Sequence, residues 1–246
     1  MPVALVTGGS RGIGAATAPL LAAAGLDVCL SYREDAAAAS TVVAACEGHG
    51  VRAVAVPADV SQEADVVALF AAADAIGPLA VLVGNAGITG PKSRVDELSA
   101  ERVERMLAVN VLGTVLCARE AVRRMSTAHG GLGGAIVLVS SAAARLGSPG
   151  EYVDYAASKG AVDTLTLGLA KEVAAEGVRV NAVRPGLIKT DIHARGGQPE
   201  RVEERRSTVP MQRGGEALEV AQAIAWLCSD EASYVTGALL DVSGGR

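Results

Sequence analysis

Short, β-branched apolar runs alternate along this chain with longer stretches in which apolar positions recur at helical spacing. That is the pattern of repeated strand–helix units feeding a parallel sheet. Residues 3–7, 27–32, 51–56, 79–83, 135–139, 178–183 and 238–242 read as seven strands, and 12–25, 35–48, 62–75, 99–127, 153–176 and 216–229 as the helices between them. The strand runs are continuous in Val, Leu, Ile and Ala rather than alternating with polar residues, so both faces of the sheet are expected to be covered. The expected fold is α/β: a doubly wound, seven-stranded parallel sheet flanked by helices, in one domain spanning 1–246. Residues 189–215 break the pattern. They carry six Lys/Arg against four acids between a strand and the last helix, which suits a substrate lid or a short surface helix.

Composition narrows the partners. Of 246 residues 50% are hydrophobic and 20% charged, enough apolar material for a large core. A net charge of −5, with no Lys/Arg block, gives no footprint for nucleic acid or an anionic membrane surface. No run approaches the ~18 apolar residues of a membrane span. Met1 and Pro2 lead straight into the first apolar run without a secretory leader, and Cys29, Cys46, Cys117 and Cys228 are scattered like small core residues. Both features point to the cytoplasm. His49, His129 and His193 have no partner at metal or triad spacing, so neither a metal site nor a Ser-His-Asp hydrolase is expected, and His193 is expected at the surface.

Two motifs carry candidate chemistry. Thr7-Gly8-Gly9-Ser10-Arg11-Gly12-Ile13-Gly14 joins the first strand to the first helix. Glycines there let the backbone turn sharply and approach a pyrophosphate, which the helix N-terminus favours electrostatically. Tyr155 and Lys159 lie four apart at the start of a helix, hence on one face, where an ammonium can stabilise a phenolate that otherwise forms only near pH ~10. Ser140 and Ser141 end the fifth strand, and alternation lets one of them face a crevice at the strand ends. Asn110 is a lone amide within the apolar stretch 106–112 and must find partners if buried.

Thr7-Gly8-x-x-x-Gly12-Ile13-Gly14, Asp59-Val60, Asn85-Ala86-Gly87, Asn110, Ser141, Tyr155-x-x-x-Lys159 and Pro185-Gly186-x-x-x-Thr190 follow one another in an order that resembles the short-chain dehydrogenase/reductase family over almost the whole chain. The resemblance implies a Rossmann fold and an oxidoreductase interconverting an alcohol and a carbonyl by hydride transfer. It assigns Ser141 to the substrate oxygen, Tyr155 to proton transfer and Lys159 to the phenol and the cofactor ribose, and it gives Asn110 a water in the proton relay. Asp59 and Val60 would hold the adenine, Asn85, Ala86 and Gly87 would run beside the cofactor, and Pro185, Gly186, Ile188 and Thr190 would meet the nicotinamide. The spacing from Ser141 to Tyr155 is one longer than is common in the family, which places a single-residue insertion in 147–150.

The second strand ends in Tyr32 and Arg33 where an NAD site would carry an acid. With Arg11 in the loop, beside the cofactor-binding candidate Ser10, Arg33 favours NADP, while Glu34 and Asp35 keep NAD open. A small alcohol or carbonyl compound is the expected substrate. A 3-oxoacyl-carrier-protein reductase is the alternative within the family, although Arg201, Arg205 and Arg206 are interleaved with Glu200, Glu203 and Glu204 and give no net basic patch for an acidic carrier. A dinucleotide-binding sensor without turnover is the alternative outside enzymes. Relatives in the family are usually homotetramers, and the long segments 99–127 and 153–176 are the candidate interface helices.

Overall fold

The computed structural model describes residues 1–246. In chain order the first half contains β1 (Val3–Val6), α1 (Gly12–Ala23), β2 (Asp27–Tyr32), α2 (Ala36–Glu47), β3 (Ala53–Pro57), α3 (Glu63–Asp74), β4 (Leu79–Gly84), α4 (Ala100–Leu107) and α5 (Gly113–Met125). There follow β5 (Gly134–Val139), α6 (Ala143–Leu146), α7 (Val153–Val173), β6 (Val178–Pro185), β7 (Ile188–Lys189), α8 (Ile192–Arg195), α9 (Arg201–Arg205), β8 (Gly215–Glu216), α10 (Ala217–Cys228) and β9 (Leu239–Val242). Each of the seven expected strands is present within two residues of its expected bounds.

The main sheet runs β3-β2-β1-β4-β5-β6-β9, every pairing parallel. Strand order reverses between β1 and β4, so a crevice opens beyond their C-terminal ends. One apolar layer packs Leu5, Leu82, Ile136 and Leu138 of the sheet against Phe70 of α3, Ala121 of α5 and Val162 of α7. The opposite layer packs Val6, Leu30, Val83 and Val137 against Leu21 of α1 and Ile224 and Leu227 of α10. A fully buried Leu, Ile or Phe contributes about 2 kcal/mol, so two continuous layers fix the strand ends that carry the chemistry. No helix is long and apolar enough to cross a membrane.

Two segments add detail to what the spacing predicts. The stretch 99–127 is helical from 100 to 125, but residues Ala108–Leu112 form a wide π-helical turn between α4 and α5. Gly113 presses against Val60 so closely that a Cβ would lie 2.7 Å from Val60 Cγ2, and Asn110 is held by Ile88. The segment 189–215, expected as a substrate lid or a short surface helix, contains more than one short element. It holds α8 and α9, and its ends pair as β7 and β8 in a separate two-stranded sheet.

Candidate active site

The C-terminal strand ends open onto one cleft of about 640 Å³, a size suited to small molecules. After β1, Gly8 (φ +61) and Gly12 (φ +54) adopt the left-handed backbone that glycine supplies without strain. The Ser31 hydroxyl accepts from Gly8 N at 3.0 Å. Asn85 Nδ2 donates to the carbonyls of Thr7 and Gly8 at 2.8 and 3.0 Å, and Thr7 Oγ1 accepts from the amides of Asn85 and Ala86 at 3.0 and 2.9 Å. The segment after β4 is thereby strapped to the glycine loop. Helix α1 begins with no side-chain cap and no acid in its first turn, so its positive end is left to the cleft, where Ser10, Arg11, Gly12 and Ile13 line the wall. This cradle fits a dinucleotide pyrophosphate. Gly14 lies behind it, where a Cβ would stand 2.6 Å from both Gly8 O and Asn85 Nδ2.

Tyr32, Arg33, Asp59 and Val60 line the neighbouring end of the cleft with Arg11 and Glu34. Arg33 is exposed and stands 3.3 Å from Glu34. Asp59 is held by Ser61 and by Arg105 at 2.8 Å. Burial raises its carboxyl, but the bonds from Ser61 and Arg105 outweigh that and hold it below the usual range. Arg105, a cleft residue that motif reading passed over, is the cation that orders this corner.

At the reacting end the two serines diverge. Ser140 is buried, and its hydroxyl donates to Asp163 Oδ1 at 2.6 Å. Ser141 lines the cleft beside Tyr155, its Oγ accepting from Ala143 N at 3.1 Å. Burial pushes the Tyr155 phenol up, and the Ser141 hydroxyl pulls it the other way. Lys159 donates to Val139 O at 2.8 Å, with its Nζ 5.7 Å from the centre of the Tyr155 ring. Burial brings its ammonium down to about 8 despite the opposing pull of Asp163. Burial is therefore the dominant influence on the phenol here, and Ser141 is the group that opposes it.

Asn110 is fully buried and does not reach the cleft wall. Its amide bonds Ile88 through both N (2.8 Å) and O (3.0 Å), and it donates to Ser158 Oγ at 3.0 Å. Ser158 in turn donates to the carbonyl of Tyr155 at 2.7 Å. Asn110 thus links the wide turn to the first turn of α7. Asp163, four residues past Lys159 on the same face, accepts from Ser140 and takes both Arg184 Nε and Nη2, at 3.0 and 2.8 Å. Helical spacing from Lys159 was the signal that could have found it.

Pro185, Gly186, Ile188 and Thr190 line the cleft after β6. Gly186 passes Ser243 so closely that a Cβ would lie 2.7 Å from its Cα. The loop 147–150, where the insertion was expected, has Gly147, Ser148 and Gly150 all at positive φ. Glu151 and Tyr152 follow it, lining the cleft opposite α9. His193 is not a surface residue as expected. It is half-buried in the cleft wall, its Nε2 sits 2.9 Å from Ile188 O, and burial holds its imidazole below the usual value.

A glycine cradle at the switch point of a parallel sheet, opposite a Tyr–Lys–Ser cluster, defines a dinucleotide-dependent α/β oxidoreductase. Residues 8–246 match the family model described as enoyl-(acyl carrier protein) reductase, and the chain belongs to the short-chain dehydrogenase/reductase family. It is 59% identical to the uncharacterized oxidoreductase YgfF of Escherichia coli (strain K12), covering 100% of both chains. Among solved structures it is similar to a 3-ketoacyl-(acyl-carrier-protein) reductase of Brucella melitensis complexed with NADH, with 34% identity, TM-score 0.90, and 100% and 98% of the two chains covered. It is likewise similar to a short chain dehydrogenase of Burkholderia cenocepacia in complex with NADP, with 37% identity, TM-score 0.90, and 99% and 97% covered.

Proposed function

We propose that this protein is an NADP(H)-dependent oxidoreductase of the cytoplasm that interconverts a small alcohol and its carbonyl compound, with NAD as the weaker cofactor. The observation that carries this is the meeting of Ser141, Tyr155 and Lys159 on the cleft that the glycine loop opens. When bound, the nicotinamide supplies or accepts the hydride. Gly8, Ser10, Gly12 and Ile13 hold the pyrophosphate, and Arg11 and Arg33 take the ribose phosphate through charge and planar geometry. Asp59 and Val60 flank the adenine. Asn85, Ala86 and Gly87 would run beside the cofactor, and Pro185, Gly186, Ile188 and Thr190 would meet its nicotinamide.

Ser141 donates a hydrogen bond to the substrate oxygen, and Tyr155 gives that oxygen its phenolic proton during reduction. Lys159 stabilises the phenolate that results and holds the cofactor ribose; oxidation runs the same transfers backwards. Asn110 acts through Ser158 and Ile88, fixing Tyr155 and the Gly87 strap rather than touching substrate. A carrier-protein substrate gains no docking face from the lid, because Arg201 and Arg205 turn inward to Glu151 while Arg206 pairs with Glu203.

The test combines turnover with nucleotide binding. Tyr155→Phe is expected to lower kcat by roughly a thousandfold or more while NADPH still quenches protein fluorescence. NADPH should bind about tenfold more tightly than NADH, a gap that Arg33→Ala narrows. Unchanged turnover in Tyr155→Phe refutes the mechanism, and NADPH binding without turnover of any carbonyl would favour the sensor alternative.

A further inference from the structure

The substrate end of the cleft carries more positive charge than the protein neutralises. Glu151, buried, receives Arg201 at 2.7 Å, Arg205 in close contact, and Lys92 at 3.4 Å, three cations on one carboxylate. Arg201 is itself buried, donates to the Tyr152 hydroxyl at 3.0 Å and stacks 4.8 Å from the Tyr152 ring centre, so it is fixed in place. Arg246 lines the same cleft and makes no ion pair. After burial, the positive charge of Arg201 and Arg205 is what pushes the Arg246 guanidinium down. The main-chain oxygen of Arg246 accepts from Arg145 and from Ser243 Oγ at 2.9 Å, which anchors the residue at the cleft it lines.

Like charges crowded in a partly desolvated wall oppose one another unless an anion joins them. Guanidinium groups suit a carboxylate or phosphate because their paired donors match two oxygens. The acids of residues 189–215 do not balance this charge: Glu203 pairs with Arg206 on the outer surface, Glu200 and Glu204 are exposed, and Asp191, exposed on the cleft wall, is offset by Arg195, a further cation lining the same cleft.

We propose that Arg205 and Arg246, backed by Arg201, form an oxyanion subsite, and that the physiological substrate is a carbonyl compound or alcohol carrying a carboxylate or phosphate. This rests on the proposed reaction only for where the carbonyl lies, at Tyr155 and Ser141. The subsite itself stands on the arrangement of Glu151, Arg201, Arg205 and Arg246.

The test uses matched pairs that differ only in charge: 3-formylbenzoate against its methyl ester, 4-oxopentanoate against its methyl ester, and dihydroxyacetone phosphate against dihydroxyacetone. The expected kcat/KM with NADPH favours the charged member of at least one pair by about tenfold or more, and the pair that does so tells carboxylate from phosphate. Arg246→Gln and Arg205→Gln should each cut that preference by about tenfold. In parallel, calorimetric titration with benzoate, benzamide and inorganic phosphate should show a bound anion, no bound benzamide, and weakened anion binding in Arg246→Gln. Tyr155-dependent reduction of carbonyls with no charge preference overturns the subsite and leaves the reaction standing. Anion binding lost in Arg246→Gln, with no carbonyl reduced, supports the subsite and overturns the reaction. A charge preference untouched by both substitutions also overturns the subsite.

Discussion

Replacing Lys159 by Met should alter the pH dependence of stability in a calculable way. The ammonium is buried and titrates near 8 in the folded protein, against 10.5 for a free lysine side chain. A lowered folded value means that the unfolded chain binds the extra proton between those two points. The fold therefore bears the full cost below pH 8, about 3 kcal/mol at 1.36 kcal/mol per pH unit, and is relieved as pH rises towards 10.5. Integrating the linkage between about pH 7 and about pH 9.5 gives wild type a gain of about 2 kcal/mol that Lys159→Met lacks. The substitution also leaves Val139 O without its donor, costing about 1 kcal/mol, but that loss is the same at every pH. Tyr155, whose phenol burial pushes up, loses stability at the alkaline end in both proteins and cancels from the difference. Urea unfolding of both proteins without nucleotide, at several pH values in this window, reads the quantity directly. Parallel curves, differing by less than about 0.5 kcal/mol across the window, would refute the claim that burial holds this ammonium down.

Three further outcomes are expected. Gly14→Ala brings a Cβ to 2.6 Å from Gly8 O and Asn85 Nδ2; it should cost about 2 kcal/mol and weaken NADPH binding, and an unchanged melting temperature and Kd would contradict it. Asp163→Asn removes the charge that raises Lys159 and leaves Arg184 without its carboxylate. Stability should fall by about 2 kcal/mol, and the alkaline fall of kcat/KM should move to lower pH, whereas a purely structural residue would lose stability with the profile in place. Leu107, Leu112 and Val115 are 40–47% exposed around the wide turn and Leu167 is 41% exposed on α7, so we expect these faces to pair in a homotetramer; a sedimentation mass of one chain excludes it.

The strands were legible because a strand covered on both faces must be apolar at every position, which leaves a short, unbroken signal such as Val3–Val6. The wide turn at 108–112 was not, since one extra residue barely disturbs the apolar spacing on either side, and the residues that pack against it, Val60 and Ile88, lie elsewhere along the chain. Tyr155, Lys159 and Asp163 could all be placed on one face from helical spacing alone, but that Ser140 turns to Asp163 while Ser141 turns to Tyr155 depended on how β5 meets α7.

Helix α9 shows most clearly where counting charges fails. Along the sequence, Arg201, Arg205 and Arg206 alternate with Glu200, Glu203 and Glu204, and the sum is zero. On the helix, Arg201 and Arg205 are four apart and share the face turned to Glu151, while Glu203 and Arg206 meet on the solvent side. The cleft therefore meets two guanidinium groups where the sequence showed none in excess. Because Glu151 lies 50 residues from Arg201, only the folded chain shows how few acids remain there to balance them.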